Sequence, residues 1–179
     1  NAGWHEHPWV MMEGSLPRLD WEGLGLPVIP EPTPVPWNGS GTEADPFQIG
    51  TAAEFALLSC YTSVLDKHIR LITDIDLTGV PLYPIGDLGH FSGVLDGGGH
   101  VVTNGQMILP ENEHVGLFSY VGENGVIRNL GMDAMRVQGD KYVGSLAGFN
   151  HGVIKSCYSN GTVTGNGYLG GLVGLNWGG

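Results

Sequence analysis

The stretch YVGSLAGFNHGVIKSCYSNGTVTGNG (residues 142–167), followed by YLGGLVGLNWGG (168–179), decides how this chain is read. Gly144, Leu146, Gly148 and Asn150 recur 26 residues later as Gly170, Leu172, Gly174 and Asn176. An earlier copy, HVGLFSYVGENGVIRNLGMDAMRVQGDK, starts at His114, 28 residues before Tyr142. Within it NGVIRNL (124–130) matches HGVIKSC (151–157), and Val137 matches Val163. Three copies in one register are the mark of a repeat architecture.

Each copy holds short, alternating apolar runs broken by Gly and Asn. Such a unit cannot close a core alone. Stacking one unit on the next buries the inward residues and pairs each strand with its counterparts above and below, ~4.8 Å away. The fold expected is therefore all-β, a parallel β-helix or solenoid. The inward candidates are Val115, Leu117, Val126, Ile127, Leu130, Val143, Leu146, Val153, Ile154, Cys157, Val163, Leu169 and Leu172. Asn-Gly pairs at Asn38, Asn104, Asn124 and Asn160 supply turn chemistry.

Working outward, SGVLDGGGHVV (92–102) reads as strand, Gly turn, strand, and HIRLITDIDL (68–77) as a β-branched strand. One short helix is expected near the N-terminal end of the solenoid, at about residues 52–60. Thr51 and Glu54 have the spacing of a capping box, with Phe55, Leu58 and Thr62 on one face. Residues 24–36, LGLPVIPEPTPVP, form a Pro-rich, extended linker whose 13 residues could reach ~40 Å. Residues 1–23 form a Trp-rich segment too short to bury a core alone. The solenoid occupies residues 37–179, with its main body beginning near Phe47.

Seven Lys and Arg stand against 18 Asp and Glu, a formal charge of −11. That balance excludes a phosphate-neutralising footprint, so no nucleic-acid partner is expected, and an anionic membrane surface is disfavoured. No apolar run reaches the ~20 residues of a membrane span. The chain starts at Asn1, which is read as processing or as a window from a longer protein. Cys60 and Cys157 match no zinc spacing and are read as small buried hydrophobes, a bridge between them being open but not indicated.

The repeats resemble the GLUG-motif family, whose Gly-Leu-hydrophobic-Gly core stands here as GLVG (171–174) and, degenerately, as SLAG (145–148). The lead-in resembles the same family in GSGTEADPFQI (39–49), LITDIDLTG (71–79), PIG (84–86), FSGVLDGGGHVV (91–102) and VGLFSYV (115–121). AGWHEHPWVMMEGSLPRLDWE (2–22) resembles the closing part of such a module, so the chain would carry one module's tail, a linker and the next module's head. The resemblance implies a right-handed β-helix, an extracellular or cell-surface location in bacteria, and no catalytic residues.

Asp74 and Asp76, at i and i+2, would present both carboxylates to one face of a strand. They are weak candidates for calcium or acid–base work, because Ile85 stands where an EF-hand loop needs its bidentate Glu. Outward, turn-bonding carboxylates with Ile75 and Leu77 inward are the plainer expectation. His5, Glu6 and His7 lack a further anchored ligand, and no cofactor is expected. Trp4, Trp9, Trp21, Trp37 and Trp177 could form sugar-stacking platforms or interface anchors, the plainer expectation being that the N-terminal tryptophans cover a solenoid end. Self-association is expected through Trp4, Trp9 and Trp21 and through Leu169, Leu172 and Trp177, in the manner of a head-to-tail filament. The function expected is a non-catalytic structural or adhesive repeat module, with surface glycans or surface proteins as further partners. The alternatives are a carbohydrate-binding module and a β-helix enzyme acting on polysaccharides.

Overall fold

The computed structural model describes residues 35–87 and 89–178, with the strand residues 9–10 and 18–19. The chain divides into two units, Asn1–Pro30 and Glu31–Gly179. In the first, β1 (Trp9–Val10) and β2 (Arg18–Leu19) pair antiparallel, Trp9 opposite Leu19. Trp4, Trp21, the His5–Glu6–His7 group and residues 24–34 of the expected linker lie outside the described residues.

The second unit is an all-β solenoid of about four turns with a single short α-helix. Before the first turn stand β3 (Phe47–Ile49) and α1 (Ala52–Leu57). Turn one holds β4 (His68–Leu71) and β5 (Ile75–Asp76), and continues through Ile85 and Phe91. Turn two holds β6 (Val94–Asp96), β7 (Val101–Thr103), β8 (Gln106–Ile108) and β9 (Phe118–Val121). Turn three holds β10 (Val126–Arg128), β11 (Gly131–Gln138), β12 (Lys141–Gly144) and β13 (Ala147–Asn150). Turn four holds β14 (Val153–Lys155), β15 (Tyr158–Thr164), β16 (Gly167–Gly170) and β17 (Val173–Asn176).

Every strand pair among these turns is parallel, and the walls run β3-β4-β6-β10-β14, β5-β7-β11-β15 and β9-β13-β17, with β12 paired to β16. The sequence alignment is the stacking register. Val126 lies beside Val153, Val137 beside Val163, Val143 beside Leu169, and Asn150 beside Asn176. Inward residues form columns: Phe47–Ile69–Leu95–Ile127–Ile154 on one wall and Ile85–Phe118–Ala147–Val173 on another.

Glycine sits where one turn's backbone meets the next. A Cβ on Gly148 would fall 2.4 Å from the His114 backbone, and one on Gly174 would fall 2.4 Å from that of Tyr142. No L side chain fits there, which explains why the matched positions are Gly.

The helix forms where the capping signal put it. Thr51 accepts from Glu54 N–H while the Glu54 carboxylate accepts from Thr51 N–H, worth about 1 kcal/mol. A 3₁₀ turn, Leu58–Cys60, prolongs it. Phe55 and Leu58 are buried, but Thr62 is exposed, and Tyr61, Val64 and Leu65 complete the face instead.

Several other inward expectations need correction. Val126 and Val153 occupy an outward column, because in HGVIKSC and NGVIRNL the strand alternation turns the first Val out and the Ile in. Leu169 stands in an inward column yet is 47% exposed, since among the described residues only Val143 of turn three pairs with it. Cys60 is exposed, and both thiols are free. Asn160-Gly161 lies inside β15 rather than in a turn, beside a register irregularity opposite Met132–Met135.

Candidate functional site

Stacking copies on copies turns each outward position into a surface column, so candidate sites run along the solenoid rather than sitting in a cleft. Three kinds of column carry polar or aromatic chemistry.

The first joins carboxylates and amides across turns. Asp76 accepts from Asn104 Nδ2 (2.9 Å), Asp96 from Asn129 Nδ2 (3.0 Å), Asp133 from Asn160 Nδ2 (2.9 Å), and Asp140 from Asn166 Nδ2 (2.8 Å). Asn150 Nδ2 donates likewise to Asn176 Oδ1 (2.6 Å). The two sequence candidates belong here. Asp74 Oδ1 accepts from Val101 N–H (3.0 Å) and lies 3.1 Å from His100 Nδ1. Asp76 also accepts from Thr78 N–H and Oγ1. Ile75 and Leu77 point inward, only 2% and 1% exposed. The Val101 bond, then the His100 bond, hold Asp74 below the usual carboxylate range, and the Asn104 and Thr78 bonds do the same for Asp76. For Asp96, burial alone would raise the pKa. The Asn129, Gly98 and Arg128 bonds outweigh it and lower the net value. Among the described residues, no three His, Cys, Asp or Glu side chains converge on a metal position.

The second kind is aromatic. His114, Tyr142 and Tyr168 stack at ring-centroid distances of 4.6 and 4.9 Å, with interplanar angles of 7° and 10°. All three have left-handed backbones, φ 56°, 54° and 53°. A bulky residue there costs about 1–2 kcal/mol, which each stacked pair offsets by about 0.5–1.5 kcal/mol. His90, Tyr120 and Phe149 form a second column, at 3.8 and 4.7 Å. Face-to-face stacking along the axis uses the ring faces that a sugar would need, leaving edges outward. Trp177, 71% exposed and tilted 27° from Phe149 at 6.3 Å, stands at the end of this column. Trp37 is core, 5% exposed, its Nε1 donating to Glu54 O and its ring packed edge-on against Tyr61. Leu172 stacks over Leu146 and is half-buried.

The third kind is basic. β4, β6, β10 and β14 align Arg70, Asp96, Arg128 and Lys155 in one outward column. Arg128 Nε donates to Asp96 Oδ2 (3.0 Å). The parallel column is His68, Val94, Val126 and Val153.

The aromatic and basic columns were not singled out from the sequence. Their signal was present in the alignment, which already placed His114, Tyr142 and Tyr168 at matched positions and Arg128 opposite Lys155. Burial pushes the Cys157 thiol's pKa up, outweighing a backbone hydrogen bond at Leu130 that lowers it.

No family model matches the chain. Over 148 residues it is 32% identical to halomucin of Haloquadratum walsbyi, a match covering 77% of this chain and 2% of that protein. Over 127 residues it is 37% identical to a "Putative Gly-rich membrane protein" of Evansella cellulosilytica, covering 65% of this chain and 15% of that protein. The chain thus spans only a small part of each relative. Among solved structures it resembles the "putative immunoglobulin A1 protease from Bacteroides ovatus", with TM-score 0.56 and 24% identity over 70% of this chain and 40% of that one. At that identity the likeness concerns the fold. Among the described residues, no helix is long and apolar enough to cross a membrane.

Proposed function

We propose that this chain is a non-catalytic, extracellular structural module of a bacterial or archaeal surface protein. One observation carries the reading: the positions that recur between copies are occupied by stacking. Gly148 and Gly174 admit the neighbouring backbone, Leu146 and Leu172 fill one column, Asn150 bonds Asn176, and Tyr142 stacks on Tyr168. The acids nearest to a constellation, Asp74 and Asp76, already accept hydrogen bonds from neighbouring turns. The GLUG-type resemblance and the likeness to a halomucin and to a Gly-rich membrane protein support a surface or membrane location.

The test is turnover. The purified chain is incubated with a panel of polysaccharides and proteins, and new reducing ends and new amines are measured. No release above blank is expected. Release that is abolished by Asp74→Ala or Asp76→Ala would overturn the reading.

A further inference from the structure

We propose that the outer face of β4, β6, β10 and β14 binds a linear anionic polysaccharide laid along the solenoid axis, its carboxylates or sulfates on the Arg70–Arg128–Lys155 column. This rests on the non-catalytic surface reading and names a partner for it.

The chain carries only seven Lys and Arg against 18 acids, and three of the seven fall in this single column. Two of those three are uncommitted. Arg70 and Lys155 are exposed, and their side chains make no ion pair or hydrogen bond among the described residues. Elsewhere Lys67 is held by Asp66 and Lys141 by Glu113. The one acid in the column, Asp96, is occupied by Arg128, Asn129 and Gly98 N–H, so it presents a largely neutralised carboxylate. Beside the cations runs a shallow groove of about 70 Å³, lined by His68, Val94 and Arg70 among others, with Glu43 also on its rim.

The face fits a sugar polymer better than its competitors. Parallel stacking sets the cations at multiples of ~4.8 Å, two turns from Arg70 to Arg128 and one from Arg128 to Lys155. A pyranose in an extended chain advances by about one such step. The His68–Val94–Val126–Val153 column offers an apolar strip to the C–H faces of the rings. An acidic peptide would gain most from pairing its backbone at a sheet edge, but the interior strands already bond neighbours on both sides. An anionic bilayer would have to offset the overall −11 with about 1 kcal/mol per basic side chain. A polymer lying within a Debye length of ~8 Å feels mainly the local column.

The experiment measures binding of the whole chain to immobilised polygalacturonate, heparin and neutral dextran by biolayer interferometry, at low salt and in about 1 M NaCl, where screening shortens to ~3 Å. Binding to at least one polyanion, none to dextran, and loss in high salt are expected. The Arg70→Gln/Lys155→Gln double variant, both positions exposed and unpaired, is expected to bind about tenfold more weakly, the worth of two exposed ion pairs. Arg136→Gln, which removes a cation from another wall, is expected to bind as wild type. Unchanged melting temperatures establish that both variants fold. The proposal is overturned if neither polyanion binds, if the double variant binds like wild type, or if Arg136→Gln weakens binding equally. It is also overturned if phosphatidylserine vesicles bind with the same dependence on Arg70 and Lys155. Release of reducing ends from polygalacturonate would instead sink the non-catalytic reading and leave the binding face standing.

Discussion

Turns three and four carry nearly the same residues on the same columns, yet one is a core and the other is half surface. Val143 is fully buried where its column-mate Leu169 is 47% exposed. Ile127, Leu146 and Val137 are fully buried, whereas Ile154, Leu172 and Val163 are partly open. The residues hardly differ in character, so the difference lies in the neighbours. Among the described residues, turn three has a turn on each side, and turn four has one on a single side. In a stacked fold an inward side chain is half covered by its own turn's partner and half by the next. Burial is thus a property of the pair of turns and not of the residue.

The comparison makes a first prediction, which carries the largest effect. Leu146→Ala should cost about 2–5 kcal/mol, as for a fully buried leucine, and Leu172→Ala about half of that. Urea unfolding of the two variants reads the difference. Equal losses would mean that turn four is as well covered as turn three, and the comparison would break.

A second prediction turns from side chains to backbone contact. Gly148→Ala drives a Cβ into the His114 backbone and should cost about 1–3 kcal/mol through forced separation of turns two and three. Gly171→Ala, whose Cβ meets nothing within 4 Å, should be close to neutral. Thermal melts of the pair suffice. A neutral Gly148→Ala would mean that the turns can slide apart, and that the repeated glycines serve something other than close approach.

What could be read in advance, and what could not, follows from the same physics. The copies at Tyr142 and Tyr168 matched the stacking register, because matched positions in a solenoid are spatial neighbours, whereas the offset from His114 holds at Val115–Val143 and slips by one residue at Phe118–Ala147. The Thr51–Glu54 pair placed the helix, because a capping box is a local interaction. Which of Val153 and Ile154 in HGVIKSC faces inward was not legible. Three consecutive apolar or amphipathic residues satisfy either alternation, and the choice is made by the preceding corner at Gly152, packed against the Gly125 carbonyl. The surface columns were missed for a related reason. Arg70 and Arg128, with Asp96 between them, share a column only when turns of unequal length are laid in register. Asp74 and Asp76 drew attention by their spacing, but their donors Val101 and Asn104 lie a full turn away.

A smaller effect sharpens the contrast within one column. Ile75, Val102 and Met132 lead to Ser159 on the wall of β5, β7, β11 and β15. Its hydroxyl is buried and has no hydrogen-bond partner among the described residues. Removing an orphaned polar group recovers its desolvation cost, so Ser159→Ala should stabilise the chain by about 1 kcal/mol. A loss of stability would mean that the hydroxyl is satisfied by solvent entering beside turn four.

The last prediction concerns acid and is carried by the cross-turn amide bonds. Asp74, Asp76 and Asp96 all have folded pKa values below the ordinary 3.8. A depressed folded pKa means that the unfolded chain binds protons first as pH falls. The stabilisation from these three is therefore fully present above pH 3.8 and is lost as the pH drops through the folded values. The urea midpoint should be flat from neutrality down to about pH 5 and should fall steadily below about pH 4. Asn104→Gly keeps the left-handed backbone at φ 60° and deletes the first donor to Asp76. It should lower the midpoint at neutral pH and narrow the gap between neutral and acid, because one carboxylate then has less to lose on protonation. Asn176→Ala supplies the contrast. It deletes the Oδ1 acceptor of Asn150 Nδ2, a cross-turn bond of the same kind that involves no carboxylate. It should leave the slope below pH 4 unchanged. If both variants flatten the acid limb equally, the bonds act by geometry alone and the carboxylate charge contributes nothing. If neither does, acid unfolding is governed by the net positive charge that builds up below the pI of about 4.8, and not by the columns.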